Sequence, residues 1–148
     1  MPGLPASLLF ACSENSVRSP MAEALAKRLY GQSSYIDSVG VRANDVDGFV
    51  AAALDEIGID GHRHRGKTFG DVDPSSFDLI VTLSHEAHHQ ALEFTRSAAV
   101  EVEYWPVNDP SMVEGSRETR LGAYRALRDQ ILARLKARFG APSAGPSV

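Results

Sequence analysis

Apolar residues along the chain form two kinds of pattern, short continuous runs and longer stretches with helical spacing. The short runs, each typical of one buried strand, lie at 7–11, 35–39, 78–83 and 100–105. Stretches in which apolar residues recur every three or four positions predict helices at 21–30, 49–57, and 85 to about 94. A longer last helix is predicted by a stripe of six residues, Leu121, Tyr124, Leu127, Ile131, Leu135 and Phe139.

This alternation of strands and helices predicts an α/β fold. We expect a single-domain three-layer sandwich, in which a four-stranded parallel sheet has helices on both faces. Residues 1–139 are predicted to form the domain, and the Ala-, Pro-, Ser- and Gly-rich tail at 140–148 is predicted to be disordered. Ligands of such sheets bind beyond the carboxyl ends of the strands, so the loops after the strands are the first places to search.

Local signals predict where three of the helices begin or end. Ser19 is a predicted N-cap with Pro20 at the first helical position, and Glu23 in the first turns suits the helix dipole. Gly58 is a predicted stop for the second helix, and Ser84 is a predicted N-cap for the third.

Composition and charge restrict the function further. The 148 residues have a formal net charge of −4, which gives no general attraction to nucleic acid or to an anionic membrane. The single cysteine excludes an internal disulfide and fits a reducing compartment. The apolar run at 8–11 is too short for a signal sequence or a membrane span, so we expect a cytoplasmic protein.

The loop after the first predicted strand has the sequence CSENSVRS at 12–19, which is the pattern C-x5-R-S. A loop of this length before a helix can direct successive backbone N–H groups inward and bind a phosphate-like oxyanion. Asn15 tolerates a left-handed backbone and can brace the loop. The predicted substrate-binding residues are Ser13, Glu14, Asn15, Ser16, Val17 and Ser19.

Two residues of the loop have the chemistry of a catalytic pair. The planar guanidinium of Arg18 can hold two oxygens of the anion at once. The helix N-terminus, the inward amides and Arg18 all favour the thiolate form of Cys12, with Ser19 as a further donor. A thiolate at the base of the loop is a nucleophile facing the phosphorus atom. The alternative is that Cys12 is only a small buried apolar residue.

The sequences at 9–12 and 18–23, LFAC and RSPMAE, resemble the signature of the low-molecular-weight protein tyrosine phosphatases and of the arsenate reductases that share their fold. A second match lies at 108–110, the sequence NDP, followed by EGS at 114–116. The similarity extends over about 7–139.

The resemblance implies a role for each matching residue. Cys12 would form a phosphocysteine intermediate, and Arg18 would stabilise the transferring group. Asp109 would protonate the leaving oxygen and then activate water, which agrees with the better departure of a protonated oxide. The implied activity is phosphatase action on a phosphotyrosine protein or a small phosphate ester, without a metal or cofactor.

The sequence also departs from the family pattern. Glu14 replaces a usual glycine, and its carboxylate would repel a phosphate dianion unless it points to solvent. Val17 replaces a second cysteine that many members have. Ser111 and Met112 follow the Asp-Pro pair where tyrosine-specific members have aromatic residues. Phe49 and Trp105 are the candidate aromatic substitutes.

Two other functions fit the same loop. The segment 81–84 resembles the arsenate reductases, but Ser84 lies where members with a thioredoxin-coupled relay have a cysteine. A single-cysteine reductase of arsenate would need an external small thiol for regeneration. The third alternative is a catalytically silent module that binds an oxyanion.

Two further motifs predict unrelated chemistry. The sequence HEAHH at 85–89 contains H-E-x-x-H, a zinc-protease pattern. Leu92 and Thr95 occupy the positions of the glycine and third histidine of its extended form, so an exposed polar helix face explains it better. The basic segment GHRHRGK at 61–67 either rims the oxyanion site or is a solvated loop.

Overall fold

The computed structural model describes residues 3–142, and residues 143–148 of the predicted tail lie outside the described part. The strands are β1 Ser7–Cys12, β2 Tyr35–Gly40, β3 Leu79–Thr82 and β4 Glu101–Tyr104. The α-helices are α1 Arg18–Tyr30, α2 Gly48–Asp55, α3 His85–Ala91 and α4 Arg117–Phe139. Short 3-10 turns interrupt the longer connections.

The strands form one parallel sheet in the order β2-β1-β3-β4, as the predicted fold class requires. Alternate residues of β1 enter different cores because side chains of a strand point to opposite faces. Leu8 and Phe10 pack against α1, α2 and α4, whereas Leu9 and Ala11 pack on the opposite face with α3. Helices therefore cover both faces of the sheet.

The position of β1 in the sheet determines where the oxyanion loop lies. The chain leaves β1 through α1 to β2 on one side, and then crosses to β3 on the other side. The loops after β1 and β3 thus diverge at the carboxyl edge, which is the usual position of a ligand crevice. Within residues 3–142, no helix combines the length and apolar character needed to span a bilayer.

The predicted start of the first helix was wrong. The helix α1 begins at Arg18, after Val17, and no side chain caps it. The Ser19 hydroxyl lies in the first turn and contacts Cys12 and Asn15 instead of the free N–H groups of that turn. Glu23 is likewise buried among specific partners and does not act at the helix terminus.

The other helix signals were closer to the structure. Ser84 does cap α3, because its hydroxyl accepts a hydrogen bond from the Ala87 N–H at 3.2 Å. Gly58 has φ of 79°, three residues after the end of α2 at Asp55, and such a left-handed conformation suits glycine. The helix α3 ends at Ala91, and a 3-10 turn continues over Leu92–Arg96.

Candidate active site

The oxyanion loop joins the last residue of β1, Cys12, to the first residue of α1, Arg18. Asn15 has φ of 52°, the left-handed conformation that asparagine tolerates better than most residues. Its side chain is buried and donates through Nδ2 to the hydroxyls of Ser19 at 2.8 Å and Ser38 at 3.0 Å. These contacts hold the strained turn of the loop against β2.

The sulfur of Cys12 lies among hydrogen-bond donors. Cys12 is 2% exposed, and its Sγ accepts a hydrogen bond from the Ser19 N–H at 3.3 Å. The Ser19 Oγ lies 3.0 Å from Sγ and 3.2 Å from the Val39 carbonyl oxygen. Asn15 already donates to the Ser19 Oγ, so the hydroxyl proton of Ser19 can be donated either to the Cys12 sulfur or to the Val39 carbonyl. These contacts fix the position of the sulfur at the base of the loop.

A buried polar layer supports the loop from behind. Glu23 accepts from the Ser38 hydroxyl and from Lys27 Nζ at 2.6 Å, and His64 Nδ1 lies 3.5 Å from it. The other ring nitrogen of His64 lies 3.0 Å from Asn15 Oδ1. Burial raises the pKa of Glu23, but hydrogen bonds with His64, Lys27 and Ser38 outweigh it and lower the pKa to about 2.

A cavity of about 110 Å³ opens above the sulfur. Its lining residues are Cys12, Glu14, Ser16, Val17, Arg18, Asp47, Asp109 and Ser111. The structure thus brings the three predicted catalytic residues to one cavity. Of the predicted substrate-binding residues, Ser13, Asn15 and Ser19 lie around the cavity and not in its lining. The volume suits a small oxyanion, because pockets for drug-sized ligands measure roughly 300–1,000 Å³.

Arg18 and Asp109 retain polar atoms that are available to a ligand. Arg18 donates from one terminal nitrogen to the Val107 carbonyl at 3.3 Å, and its guanidinium makes no other hydrogen bond within residues 3–142. Asp109 Oδ1 accepts from the Ser111 N–H at 2.9 Å and from its hydroxyl at 2.7 Å. The second oxygen, Oδ2, makes no hydrogen bond in the described part of the chain and is therefore available to contact a ligand.

Asp47 is a residue of the cavity wall that the sequence analysis missed. It caps α2 through Oδ1, which accepts from the Phe49 N–H at 2.8 Å, and its own N–H donates to the Ser16 carbonyl at 2.9 Å. Its Oδ2 accepts from the Tyr124 hydroxyl at 3.1 Å. Burial and the neighbouring carboxylates of Asp47 and Asp109 raise the pKa of Tyr124. An N-cap aspartate before an apolar stretch was the only sequence signal for this residue.

The Glu14 carboxylate, which the sequence analysis identified as unfavourable for an anion, has two partners outside the loop. Its Oε2 accepts from Arg42 Nε at 2.6 Å, and its Oε1 accepts from Asn44 Nδ2. Arg42 also donates from both terminal nitrogens to Glu86, at 2.8 and 2.9 Å. This ion pair holds the pKa of Glu86 below its usual range.

Neither candidate aromatic residue lies in the cavity lining. Trp105 is 2% exposed and packs edge-on against Phe10, so it belongs to the core. Phe49 stacks on Tyr124 at 5.1 Å between ring centroids, and the Arg120 guanidinium lies 4.7 Å from the centre of the Phe49 ring. The expectation that either ring replaces the missing aromatic clasp is therefore not supported by its position.

The two unrelated motifs make no second catalytic site. Glu86 is paired with Arg42, His88 Nδ1 lies 2.8 Å from the Thr82 hydroxyl, and no group of metal ligands occurs among residues 3–142. The basic segment 61–67 packs behind the oxyanion loop, where the Lys67 N–H donates to Asn15 Oδ1 at 2.8 Å.

A larger cavity, of about 410 Å³, lies between α1, α2 and the loop around Ile59. Its lining contains no cysteine, serine or threonine. Its charged residues form the pairs Glu23–Lys27 and Asp60–Arg63, and Arg28 donates to the Gly58 carbonyl. The small cavity above Cys12 therefore remains the candidate active site.

Comparison with known proteins agrees with this fold and site. The family model described as low molecular weight phosphotyrosine protein phosphatase matches residues 7–141. The chain belongs to the low-molecular-weight phosphotyrosine protein phosphatase family, which includes arsenate reductases.

Some relatives are named arsenate reductases, and others are named tyrosine phosphatases. An arsenate reductase from Halalkalibacterium halodurans is 33% identical over 87% of this chain and 91% of its own length. The crystal structure of arsenate reductase from Archaeoglobus fulgidus is 29% identical, with a TM-score of 0.69 over 88% of this chain and 96% of that one. The tyrosine phosphatase Wzb from Escherichia coli, in complex with sulphate, is 24% identical with a TM-score of 0.72 over 90% and 98%, and shows the shared fold.

Proposed function

We propose that this protein is a cytoplasmic phosphatase that hydrolyses phosphomonoesters through a phosphocysteine intermediate. The substrate is a phosphotyrosine protein or a small aryl phosphate. The observation that supports this best is the presence of Asp109 in the wall of the same cavity as Cys12 and Arg18. An ester oxygen leaves as an alcohol or phenol only when an acid donates a proton to it, and Asp109 Oδ2 is available for that task.

The reaction has two steps that conserve atoms and charge. The Cys12 thiolate attacks phosphorus, the P–O bond to the leaving group breaks, and protonated Asp109 donates its proton to the departing oxygen. Ionised Asp109 then takes a proton from water, whose oxygen attacks phosphorus and breaks the S–P bond. Inorganic phosphate leaves, and the thiolate is restored. Arg18 and the backbone amides of the loop stabilise the charge on the three equatorial oxygens in both steps.

Arsenate reduction is the second candidate, because relatives at 30–33% identity are named arsenate reductases. The Cys12 thiolate would form an S–As bond and displace a hydroxyl of arsenate, which takes up a proton and leaves as water. An external thiolate would then attack the Cys12 sulfur, forming a mixed disulfide and breaking the S–As bond. The electron pair of that bond stays on arsenic, which leaves as arsenite. A second external thiol would reduce the mixed disulfide. Because Cys12 is the only cysteine, both thiols must come from outside the chain.

The test compares wild type with Cys12→Ser and Asp109→Asn on two esters of different leaving-group quality. We expect Cys12→Ser to abolish turnover of p-nitrophenyl phosphate. We expect Asp109→Asn to slow the hydrolysis of phenyl phosphate, which has the poorer leaving group, roughly a hundredfold or more. Hydrolysis of p-nitrophenyl phosphate should slow much less. Asparagine retains an oxygen that can accept from Ser111, so the variant removes the proton and little else.

The exposed Asp55→Asn is the matched control and should leave both rates unchanged. Equal losses on both esters would remove Asp109 from the role of acid. If folded wild type hydrolyses neither ester but reduces arsenate in the presence of glutathione, the protein is an arsenate reductase and not a phosphatase. Binding of phosphate without either reaction would identify a silent oxyanion-binding module.

A further inference from the structure

Glu14 places a carboxylate in a loop that is built to receive an anion. Its residue lines the cavity with Cys12 and Arg18, and it is two positions from the nucleophile. A carboxylate that entered the cavity would oppose binding of a dianion, since two unit charges 4 Å apart interact by about 4 kcal/mol at a protein surface. It would also oppose ionisation of the thiol. A device that keeps this carboxylate away from the cavity therefore has a direct effect on the chemistry.

Arg42 provides the contact that determines where the Glu14 carboxylate lies. The Nε of Arg42 donates to Glu14 Oε2 at 2.6 Å. The amide of Asn44 donates to the other carboxylate oxygen. Both oxygens of Glu14 thus bind residues of the segment that follows β2, and neither is bound by a residue of its own loop.

Arg42 is itself held in place on two sides. Its two terminal nitrogens donate to the two oxygens of Glu86 at the start of α3, in the bidentate geometry that arginine favours. Its backbone N–H donates to the Ser13 carbonyl at 2.8 Å, and the Asn44 N–H donates to the Glu14 carbonyl at 3.0 Å. The guanidinium is therefore fixed relative to the loop through both the main chain and α3.

Stability of the fold is a poor explanation for this arrangement. The side chains of Arg42, Glu14 and Glu86 are 52%, 38% and 48% exposed. Exposed ion pairs of this kind contribute little to the free energy of unfolding. Their geometry does, however, determine the direction of one charge beside the cavity.

We propose that Arg42 is a positioning residue, which holds the Glu14 carboxylate away from the bound oxyanion, and that Glu86 orients Arg42 for this task. The inference rests on the oxyanion-binding part of the proposed function. Without Arg42, the Glu14 side chain gains access to the cavity that it already borders. There it repels the phosphoryl group and destabilises the Cys12 thiolate.

A double-mutant cycle tests this coupling with Arg42→Ala, Glu14→Gln and the combined variant. The first readout is the dissociation constant of inorganic phosphate, measured by calorimetry. The second is the rate of Cys12 alkylation by iodoacetamide as a function of pH, which reports thiolate formation. Neither readout requires turnover, so failure of the phosphatase proposal and failure of this one are distinguishable.

We expect Arg42→Ala to weaken phosphate binding about tenfold and to shift the midpoint of the alkylation profile to higher pH. Glu14→Gln should bind phosphate at least as tightly as wild type, and the combined variant should behave like Glu14→Gln. The control Arg96→Ala removes another exposed arginine, whose ion-pair partner is Glu93, and should change neither readout. If Arg42→Ala does not fold, Glu86→Gln replaces it, because this variant weakens the hold on Arg42. A smaller loss of phosphate affinity in Glu86→Gln, which the added change Glu14→Gln restores, would support the proposal.

Three results would overturn the inference. Phosphate binding by Arg42→Ala equal to that of wild type would show that Arg42 has no positioning role. A combined variant as weak as Arg42→Ala would show that Arg42 acts on the anion directly and not through Glu14. Absence of phosphate binding by wild type would overturn this inference together with the oxyanion site. If the double-mutant cycle gives the expected results but the protein hydrolyses no ester, the positioning role of Arg42 is supported and only the phosphatase proposal is overturned.

Discussion

The reactivity of Cys12 depends on neighbours that do not touch the substrate. Ser19 donates to the sulfur, Asn15 donates to Ser19, and both depend on the buried layer that contains Glu23. Buried polar groups that are fully hydrogen-bonded hold one geometry, whereas loss of one partner leaves the others uncompensated. At the scale of the residue, the ionised Glu23 is the charge on which this layer depends.

Replacement of Glu23 should therefore reduce stability in a manner that depends on pH. The folded-state pKa is about 2, below the ordinary value of 4.5, so the stabilisation is present above pH 4.5 and is lost as the pH falls toward 2. We expect Glu23→Gln to lower the free energy of unfolding by about 3 kcal/mol at pH 7 and by less than half of that at pH 3. Urea denaturation at both pH values measures the difference. The exposed Glu118→Gln serves as control, and a loss that is the same at both pH values would contradict the argument.

At the scale of the element, the oxyanion loop depends on how closely β2 approaches it. Gly40 is the residue of β2 that pairs with Cys12 in the parallel register. A Cβ at Gly40 would lie 2.3 Å from the Arg42 carbonyl oxygen and 2.6 Å from the Asn15 nitrogen. Only glycine allows the loop backbone to pack against the strand end in this way.

We expect Gly40→Ala to displace the loop, which should greatly reduce turnover and lower the free energy of unfolding by about 1–3 kcal/mol. Gly122→Ala is the matched control, because a Cβ at this helical position has no heavy atom within 4 Å. It should stabilise α4 by about 1 kcal/mol without changing activity. Steady-state kinetics and urea denaturation of both variants provide the comparison. Normal turnover by Gly40→Ala would show that the loop tolerates the shift.

At the scale of the whole molecule, α4 connects the active-site edge to the opposite end of the fold. Tyr124 near its start donates to Asp47 in the cavity wall. Near its end, the Leu135 and Gly140 carbonyls accept from the Tyr30 hydroxyl of α1, at 3.1 and 2.8 Å. The helix thus contacts both the cavity wall and the far end of α1.

Truncation of the buried stripe of α4 should destabilise the molecule much more than truncation beside it. Leu135 is 0% exposed, and Leu135→Ala should lower the free energy of unfolding by about 3 kcal/mol. Leu132 is only partly buried on the same helix, so Leu132→Ala should lower the free energy of unfolding by less than half as much. Urea denaturation of both variants compares the losses, and equal values would refute the assigned orientation of α4.

The sequence by itself determined the parts of this protein that depend on neighbours along the chain. Helical and strand periodicities arise from side chains a few residues apart, so they predicted all four strands and the four α-helices of the described chain. The predicted oxyanion loop also lies within a few consecutive residues, 12–19. Even there, the start of α1 was misplaced, because Ser19 binds tertiary partners that a local capping rule does not include.

Only the tertiary structure decided which distant residues complete the site. Gly40, Arg42, Asp47 and His64 reach the loop because β2 pairs with β1 in one register, and because the following chain folds back over it. Their partners are 25 or more residues away in the sequence, and no local period relates residues across a sheet. The direction of the Glu14 carboxylate has the same origin. It depends on a hydrogen bond from Arg42, whose guanidinium also binds Glu86 of α3.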